Sequence, residues 1–223
     1  ENTTETPFEP PKLPPELCHR FRPRNTNERK QTILLTGATG FVGAQLLTTL
    51  LAADEVDVVS CVVRADSINA ARLKIASACR AQSLQDASQS EKLQIILGDL
   101  AREDWGLSAQ ELQAIAKPIT AVIHNGAVTS VVRDYQSLKA VNVDATQTAM
   151  KIAHISGAPL HYISTIAIGD KDSLPEEFVE FHPYLLDGYQ QSKWASESLL
   201  ATRSAFGQPI SIYRLPRVVG DSK

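Results

Sequence analysis

The chain has 223 residues, of which 43% are hydrophobic and 21% are charged, and its formal net charge is −3. This composition is typical of a soluble globular domain, and the slight acidity argues against a broad nucleic-acid-binding surface. No apolar run approaches the roughly 18 residues that a membrane span needs. The three cysteines lack metal-site spacing, which predicts a reducing, cytoplasmic compartment and no metal centre.

Residues 1–30 differ in composition from the rest of the chain. They hold six of the twelve prolines, a content typical of extended segments that build no core of their own. We therefore expect a linker, or a strap along a domain, whose basic residues are either solvated or directed at an anionic partner. The chain begins at Glu1 and its one methionine is Met150, so we expect it to be a piece of a longer protein.

From residue 31 onwards, short apolar runs alternate with stretches of helical periodicity. The runs predict six strands, at 32–37, 56–64, 93–100, 119–127, 160–169 and 209–220. Helices are predicted after the first two runs and at 137–156 and 189–204. Fully apolar strands that alternate with helices predict a doubly wound α/β fold, in which a parallel sheet is covered on both faces.

The first predicted strand ends in TGATGFVG, which carries three glycines immediately before a helix. Glycines at such a turn let the backbone approach a pyrophosphate, and the start of the helix presents unpaired N–H groups to the phosphates. The spacing is G-x-x-G-x-x-G. The sequence thus predicts a dinucleotide site that includes Gly37, Thr39, Gly40, Phe41, Val42 and Gly43.

The ends of the next two predicted strands indicate which dinucleotide is bound. Arg64 stands where NAD sites usually carry an acidic residue for the ribose 2′-hydroxyl. A guanidinium suits the 2′-phosphate of NADP, which predicts NADPH, with Arg72 as a second candidate contact. Asp99 and Leu100 are candidates for bracketing the adenine, although a solvated loop aspartate is an equally simple interpretation of Asp99.

Tyr189 and Lys193 lie four residues apart in the last predicted helix and so share one of its faces. A phenol with a pKa of about 10 is a weak acid at neutral pH. An adjacent ammonium would lower that pKa towards the working range. Downstream of a glycine loop in the same α/β fold, this pair predicts a proton donor beside the cofactor.

The segments TGATGFVG, VIHNGA, ISTIAIG and GYQQSKWASE, in this order, resemble those of the extended short-chain dehydrogenase/reductase superfamily, and in particular its thioester reductase domains. Such domains terminate nonribosomal peptide synthetases, hybrid polyketide synthetases and carboxylic acid reductases. The resemblance covers about residues 31–223 and implies a Rossmann-type NADP-binding domain. It also implies NADPH-dependent reduction of an acyl or peptidyl thioester, held on the phosphopantetheine arm of an upstream carrier domain. The product would be an aldehyde or, after a second reduction, an alcohol.

The same resemblance assigns roles to individual residues by motif. It implies a catalytic set of Thr165, Tyr189 and Lys193, with Asn142 in the helix beneath the site. The implied contacts on the nicotinamide side are Asn125, Gly126, Ala127, Tyr189 and Lys193. The implied flanking residues near the end of the last strand are Arg214 and Pro216.

Several readings remain open at this point. Members of the superfamily continue into a C-terminal substrate domain, so we expect the acyl pocket to be largely missing from a chain that ends at Lys223. The motifs also suit a Dieckmann-type cyclising release domain without hydride transfer, a fatty acyl-CoA reductase or a sugar-nucleotide epimerase. The alternative that is not an enzyme is a non-catalytic NADP-binding scaffold.

Overall fold

A computed structural model describes residues 10–24, 30–169 and 174–219. Its strands are β1 (Gln31–Thr36), β2 (Val56–Val63), β3 (Leu93–Leu97), β4 (Ala121–His124), β5 (Leu160–Thr165) and β6 (Ile210–Leu215). They form one parallel sheet in the order β3-β2-β1-β4-β5-β6. The six predicted strands and the doubly wound α/β fold are thereby confirmed.

The helices are α1 (Phe41–Ala52), α2 (Ile68–Ala81), α3 (Ala109–Ala116), α4 (Tyr135–Lys139), α5 (Ala145–Ser156) and α6 (Gly188–Ser204). The helix predicted at 137–156 is in fact divided, because a π-helical turn at Ala140–Asp144 joins α4 to α5. The sequence prediction omits α3. Its signal is a capping box, in which Ser108 and Glu111 bond each other's backbone N–H groups. None of the described helices combines the length and the apolar character needed to cross a membrane.

Each face of the sheet packs on its own hydrophobic cluster. Leu34 of β1 faces a cluster that includes Met150 of α5 and Leu199 of α6. Its neighbour Leu35 faces the opposite cluster, which includes Leu47 of α1 and Ile75 of α2. Alternate residues of a fully buried strand therefore serve the two layers.

The strand order places the carboxyl ends of β1 and β4 side by side at the middle of the sheet. Thr36 and His124, the last residues of these strands, are register partners. The chain runs outwards from β1 in one direction through β2 and β3 and in the other through β4, β5 and β6. In doubly wound sheets, ligands bind at the point where the strand order reverses.

The Pro-rich segment packs against the domain wherever it is described. Its residues 10–24, which we name the strap, insert Leu17 into the core at 1% exposure. Further along, the Phe21 N–H donates to the Phe206 carbonyl (2.8 Å) and the Arg24 N–H to the Gly157 carbonyl (3.0 Å). Gly157 and Phe206 precede β5 and β6, so the strap lies at the amino ends of the strands. Of the two interpretations offered for residues 1–30, a linker or a strap along a domain, these contacts favour the strap for residues 10–24. The division into a linker and a domain stays a prediction, and positions 1–9 and 25–29 lie outside the described residues.

Arg203 fixes the strap to α6. The side chain is fully buried, and its guanidinium donates to the carbonyls of Leu17 (2.6 Å) and His19 (2.7 Å). It also bonds Gln208 Oε1 (2.6 Å) and His154 Nδ1 (2.9 Å). This buried cation is thus surrounded by acceptors from the protein itself.

Candidate active site

The glycine loop between β1 and α1 has two glycines that the protein's own packing requires. Gly37 has a φ of 73°, and a Cβ there or on Gly43 would overlap neighbouring backbone atoms. Gly40 differs, because a Cβ there would meet one atom, the Gly37 carbonyl oxygen at 3.3 Å. Gly40 is exposed and therefore faces the open side of the loop, where a pyrophosphate would approach.

The start of α1 is arranged to receive an anion. No side chain among the described residues caps α1, whose N-cap position is Gly40. Four other helices are capped by side chains, those of Ser67, Ser108, Asp134 and Asp187. The first N–H groups of a helix lack partners within it and lie at the positive end of its dipole. The loop and helix therefore fit the phosphates of a dinucleotide.

Thr36 connects the glycine loop to the end of β4. Its Oγ1 accepts hydrogen bonds from the N–H groups of Asn125 (3.1 Å) and Gly126 (2.9 Å) and lies 2.8 Å from His124 Nδ1. Because that oxygen already accepts twice, its own proton is donated to Nδ1, which leaves His124 protonated at Nε2. The Asn125 amide donates to the Gly37 carbonyl (3.3 Å). Thr36 and His124 are absent from the sequence prediction, although a buried threonine before the first glycine is a usable signal.

Arg64 and Asp99 come together at the ends of β2 and β3. Arg64 Nη1 lies 3.9 Å from Asp99 Oδ1, and the Arg64 side chain is 76% exposed. Asp99 Oδ1 also accepts from the Ala101 N–H (3.0 Å), and Leu100 lies directly against Gly126. Lys74 of α2 donates to the Arg64 carbonyl (2.5 Å), which adds a cation that the sequence prediction omits.

Arg72 is bonded to the carbonyl of Ser88, in the loop before β3. This contact directs one of its donors to the protein, in contrast to the exposed guanidinium of Arg64. A phosphate contact from Arg72 stays a prediction, and it would require that bond to be exchanged.

The start of α6 is held against the end of β5, which brings Tyr189 to the same edge as Thr165. Thr165 Oγ1 accepts from the Ala167 N–H (3.2 Å), so its own O–H proton is available to donate. The Gln190 side chain donates to the Ala167 carbonyl (2.9 Å). A Cβ on Gly188 would overlap the backbone that enters α4, so glycine at this position lets α6 begin in close contact.

Lys193 is buried at 3% exposure and faces β5. Its Nζ donates to the Ile163 carbonyl (2.7 Å) and to the Tyr162 hydroxyl (3.2 Å). Burial lowers the pKa of Lys193 to about 7, and the nearby Glu197 carboxylate acts in the opposite direction.

The pKa of Tyr189 differs from the sequence prediction. Burial and, to a lesser extent, Asp187 raise it above its ordinary value, whereas a lowered pKa was expected from the ammonium of Lys193. The physical reason is the direction of the lysine, whose Nζ bonds β5. In this structure, Tyr189 is a protonated phenol, suited to donate a proton.

Asn142 lies in the π-helical turn, buried beneath the site. Its Oδ1 accepts from the Val128 N–H (2.8 Å), and its Nδ2 donates to the Val128 carbonyl (3.0 Å) and to Ser192 Oγ (2.9 Å). The side chain therefore joins the loop after β4 to α6. This gives Asn142 a positioning part in the structure, because Ser192 directly precedes Lys193.

Arg214 of β6 forms a buried ion pair with Glu197 of α6, in which Nη2 lies 2.7 Å from Oε2. The remaining donors bond the carbonyls of Pro175 (2.6 Å) and Glu177 (2.8 Å). Arg214 therefore clamps the segment that precedes α6, and its guanidinium is not available to a cofactor in this arrangement. The flanking role stays a prediction, as does that of Pro216, which is exposed just after β6.

The rest of the GYQQSKWASE segment contacts the segment that precedes α6, which Arg214 also holds. Trp194 Nε1 donates to the Val179 carbonyl (2.8 Å), and the rings of Phe178 and Phe181 lie 6.0 and 5.2 Å from the Trp194 ring. Trp194 and Glu197 are supporting residues that the sequence prediction did not single out. Their signal is their place within the same segment as the Tyr–Lys pair.

A parallel doubly wound sheet, a phosphate-type glycine loop at the switch point and a Thr–Tyr–Lys set at the same edge define the nucleotide-binding part of an extended short-chain dehydrogenase/reductase. A model of the NAD-binding family described as male sterility protein matches residues 35–223. The chain belongs to this family and, within it, groups with the terminal reductase domains of nonribosomal peptide and hybrid polyketide–peptide synthetases.

Three comparisons illustrate this grouping. The chain is 38% identical over 193 residues to an isonitrile lipopeptide synthase of Streptomyces coeruleorubidus, covering 84% of this chain and 13% of that protein. The terminal R domain of the myxalamid PKS-NRPS pathway superimposes with a TM-score of 0.86 at 33% identity, covering 95% of this chain and 56% of that one. A UDP-glucuronic acid 4-epimerase of Bacillus cereus, in complex with NAD, gives 0.64 at 25% identity, covering 86% and 59%. The chain thus spans about half of the R-domain structure and a small part of the synthase.

Proposed function

We propose that this chain is the cofactor-binding part of an NADPH-dependent reductase that releases a carrier-bound acyl or peptidyl thioester as an aldehyde, or as an alcohol after a second reduction. The observation that carries the proposal is the placing of Thr165, Tyr189 and Lys193 at the edge of the sheet that holds the glycine loop. Thr165 and Tyr189 each have an O–H proton to donate there. The relatives with synthetase names support the assignment.

The chain's own residues supply binding and proton transfer. Bound NADPH supplies the hydride. Tyr189 donates its phenolic proton to the carbonyl oxygen of the thioester, and Thr165 donates a hydrogen bond to the same oxygen, where negative charge develops. Cleavage of the C–S bond in the resulting hemithioacetal then releases the aldehyde and the carrier thiol. Lys193 of α6 supports the site from its buried position against β5.

The preference for NADPH over NADH rests on Arg64. Its guanidinium is exposed at the end of β2, beside Asp99 and with the Lys74 amino group near its carbonyl. An arginine there can bind a 2′-phosphate with two parallel hydrogen bonds. Arg64→Ala is expected to weaken NADPH binding by about 10- to 100-fold and to leave NADH binding nearly unchanged. Equal losses for both cofactors, measured by titration, would remove the basis for this preference.

We further propose an upstream carrier domain as the partner and the cytoplasm as the location. One of the matching structures is a thiolation–reductase di-domain of an archaeal nonribosomal peptide synthetase, which supports a carrier partner. All three cysteines are free thiols, which supports a reducing compartment.

The function is tested with an intact reductase domain that includes these residues, NADPH and an acyl pantetheine thioester. We expect one NADPH to be oxidised, measured by absorbance, for each aldehyde formed. Tyr189→Phe should lower the turnover about 100- to 10,000-fold while NADPH still binds. A cyclised product without NADPH oxidation would support the Dieckmann-type reaction, and NADPH binding without any product would support a scaffold.

A further inference from the structure

Tyr162 of β5 is fully buried and contacts Lys193 in two ways. Its hydroxyl accepts a hydrogen bond from Lys193 Nζ (3.2 Å), and its ring centroid lies 4.5 Å from the same nitrogen. The ring therefore places its negative face towards the ammonium, an attraction that strengthens when both groups are desolvated. A buried tyrosine that holds a buried lysine is a second Tyr–Lys pair, separate from Tyr189.

The Tyr162 hydroxyl lies beside two further hydroxyl groups. Because an ammonium can only donate, Tyr162 accepts from Lys193 and its own proton is directed elsewhere. The hydroxyls of Ser196 and Thr146 lie beside it. Both of these donate onwards to the Asn142 carbonyl, at 2.7 and 2.8 Å. Residues of α5 and α6 thus surround the Tyr162 hydroxyl.

We propose that Tyr162 is a positioning residue for the reductase reaction, which holds the Lys193 ammonium at the cofactor edge through its hydroxyl and the face of its ring. The inference rests on the proposed function, because it assumes that Lys193 acts in reduction. Two N–H groups of Lys193 are taken by Ile163 and Tyr162. The third has no bond among the described residues and is left for the cofactor or Tyr189.

The surroundings of Lys193 make its protonation measurable. Its titratable and charged neighbours are Glu197 and Tyr189 on α6, His124 on β4, Tyr162 on β5 and, through Glu197, Arg214 on β6. Burial and Lys193 lower the pKa of His124 to about 3, and burial raises the pKa of both tyrosines. Glu197 is paired with Arg214. Lys193 is therefore the group in this cluster that titrates near neutral pH.

The first test is an NMR titration of the Lys193 side chain in the cofactor-free protein labelled with ¹³C-lysine. Tyr162→Phe keeps the ring and removes one hydrogen bond that favours the charged lysine. The pKa of Lys193 should therefore fall by roughly half to one unit. The matched control is Tyr213→Phe on β6, which removes an exposed hydroxyl that bonds His161 (3.0 Å) and should leave that pKa unchanged. An unchanged pKa in Tyr162→Phe overturns the proposal.

The second test is kinetic and uses the intact reductase domain. Tyr162→Phe should lower kcat about tenfold, leave the KM for the thioester within twofold and move the alkaline limb of the pH profile to lower pH by the same shift as in the titration. A fall in activity without a shift of the alkaline limb would indicate a merely structural role and contradict the proposal. Should Tyr162→Phe fail to fold, Ser196→Ala gives the second arm, with a smaller pKa shift in the same direction expected.

The two proposals fail in distinguishable ways. If Tyr189→Phe retains full turnover, the proposed function is wrong whatever Tyr162→Phe does to the titration of Lys193. If Tyr189→Phe abolishes turnover but neither Tyr162→Phe nor Ser196→Ala moves the pKa of Lys193, the function stands and the positioning role is wrong.

Discussion

A buried cation lies at the amino ends of the strands, which we name the amino edge, and another at their carboxyl ends, the carboxyl edge. The two cations differ in the number of hydrogen-bond acceptors that surround them. At the amino edge, Arg203 bonds four acceptors from the strap, α5 and the loop before β6. At the carboxyl edge, Lys193 has two acceptors, and burial lowers its pKa to about 7. Saturated hydrogen bonding stabilises a buried charge, whereas partial bonding leaves a cost that a ligand can offset.

The difference extends to the surrounding backbone. At the amino edge, the strap covers the turns that lead into β5 and β6. At the carboxyl edge, α1 begins without a side-chain cap and Gly40 faces open space. At the amino edge the chain itself supplies the hydrogen-bond partners, whereas at the carboxyl edge the partners are left for a cofactor to supply. Four substitutions test this difference.

The largest effect is expected from a pair of substitutions in the glycine loop. Gly43→Ala would drive a Cβ into the Gly37 carbonyl and should lower the free energy of unfolding by at least about 3 kcal/mol. Gly40→Ala meets only the Gly37 carbonyl oxygen, at 3.3 Å, and should lower stability by no more than about 1 kcal/mol, but weaken NADPH binding about tenfold. Urea unfolding and cofactor titration measure the two effects. Equal losses of stability in both variants would contradict the view that Gly40 serves the ligand.

The next effect is expected at the amino edge. Arg203→Met keeps most of the side chain's length but leaves the carbonyls of Leu17 and His19 without their buried donor. Stability should fall by about 2 to 3 kcal/mol, with no direct effect on NADPH affinity in the folded protein. Urea denaturation and cofactor titration of the same sample check this. A variant of wild-type stability would show that the strap does not depend on Arg203.

The smallest effect at pH 7, on the order of 1 kcal/mol, is expected from Lys193→Met and has the opposite sign. The pKa of Lys193 is about 7 in the folded chain against an ordinary value of 10.5. Between these values the unfolded chain binds more protons, so wild-type stability should rise with pH from about 7 to 10.5. Lys193→Met should be more stable than wild type at pH 7 and lose that rise. Parallel pH profiles of unfolding for the two proteins would contradict the depressed pKa.

The sequence was sufficient to place the candidate residues whose positions depend on local spacing. The glycine loop, the arginine after β2 and the Tyr–Lys pair are set by neighbours in the chain, and the structure places all of them at the carboxyl ends of the strands. The six strands were likewise readable, because a strand buried on both faces is a continuous apolar run. The missed helix α3 carries a local signal as well, its capping box.

The remaining features depend on tertiary contacts that spacing does not encode. Whether Lys193 faces Tyr189 or β5 is decided by the acceptors on β5, Ile163 and Tyr162. The Glu197–Arg214 pair joins residues of α6 and β6 that have no sequence pattern in common. The sequence left a linker and a strap open for the first 30 residues, because proline content indicates an extended backbone but does not indicate where Leu17 inserts.

Hydrogen exchange of the 223-residue chain, with and without NADPH, tests the contrast between the two edges most directly. We predict that NADPH slows amide exchange in the glycine loop at 40–43 and after β4 at 125–127, and leaves the strap amides of Phe21 and Arg24 unchanged. Protection of the strap without protection of the glycine loop, or no protection at either edge at saturating NADPH, would contradict this account.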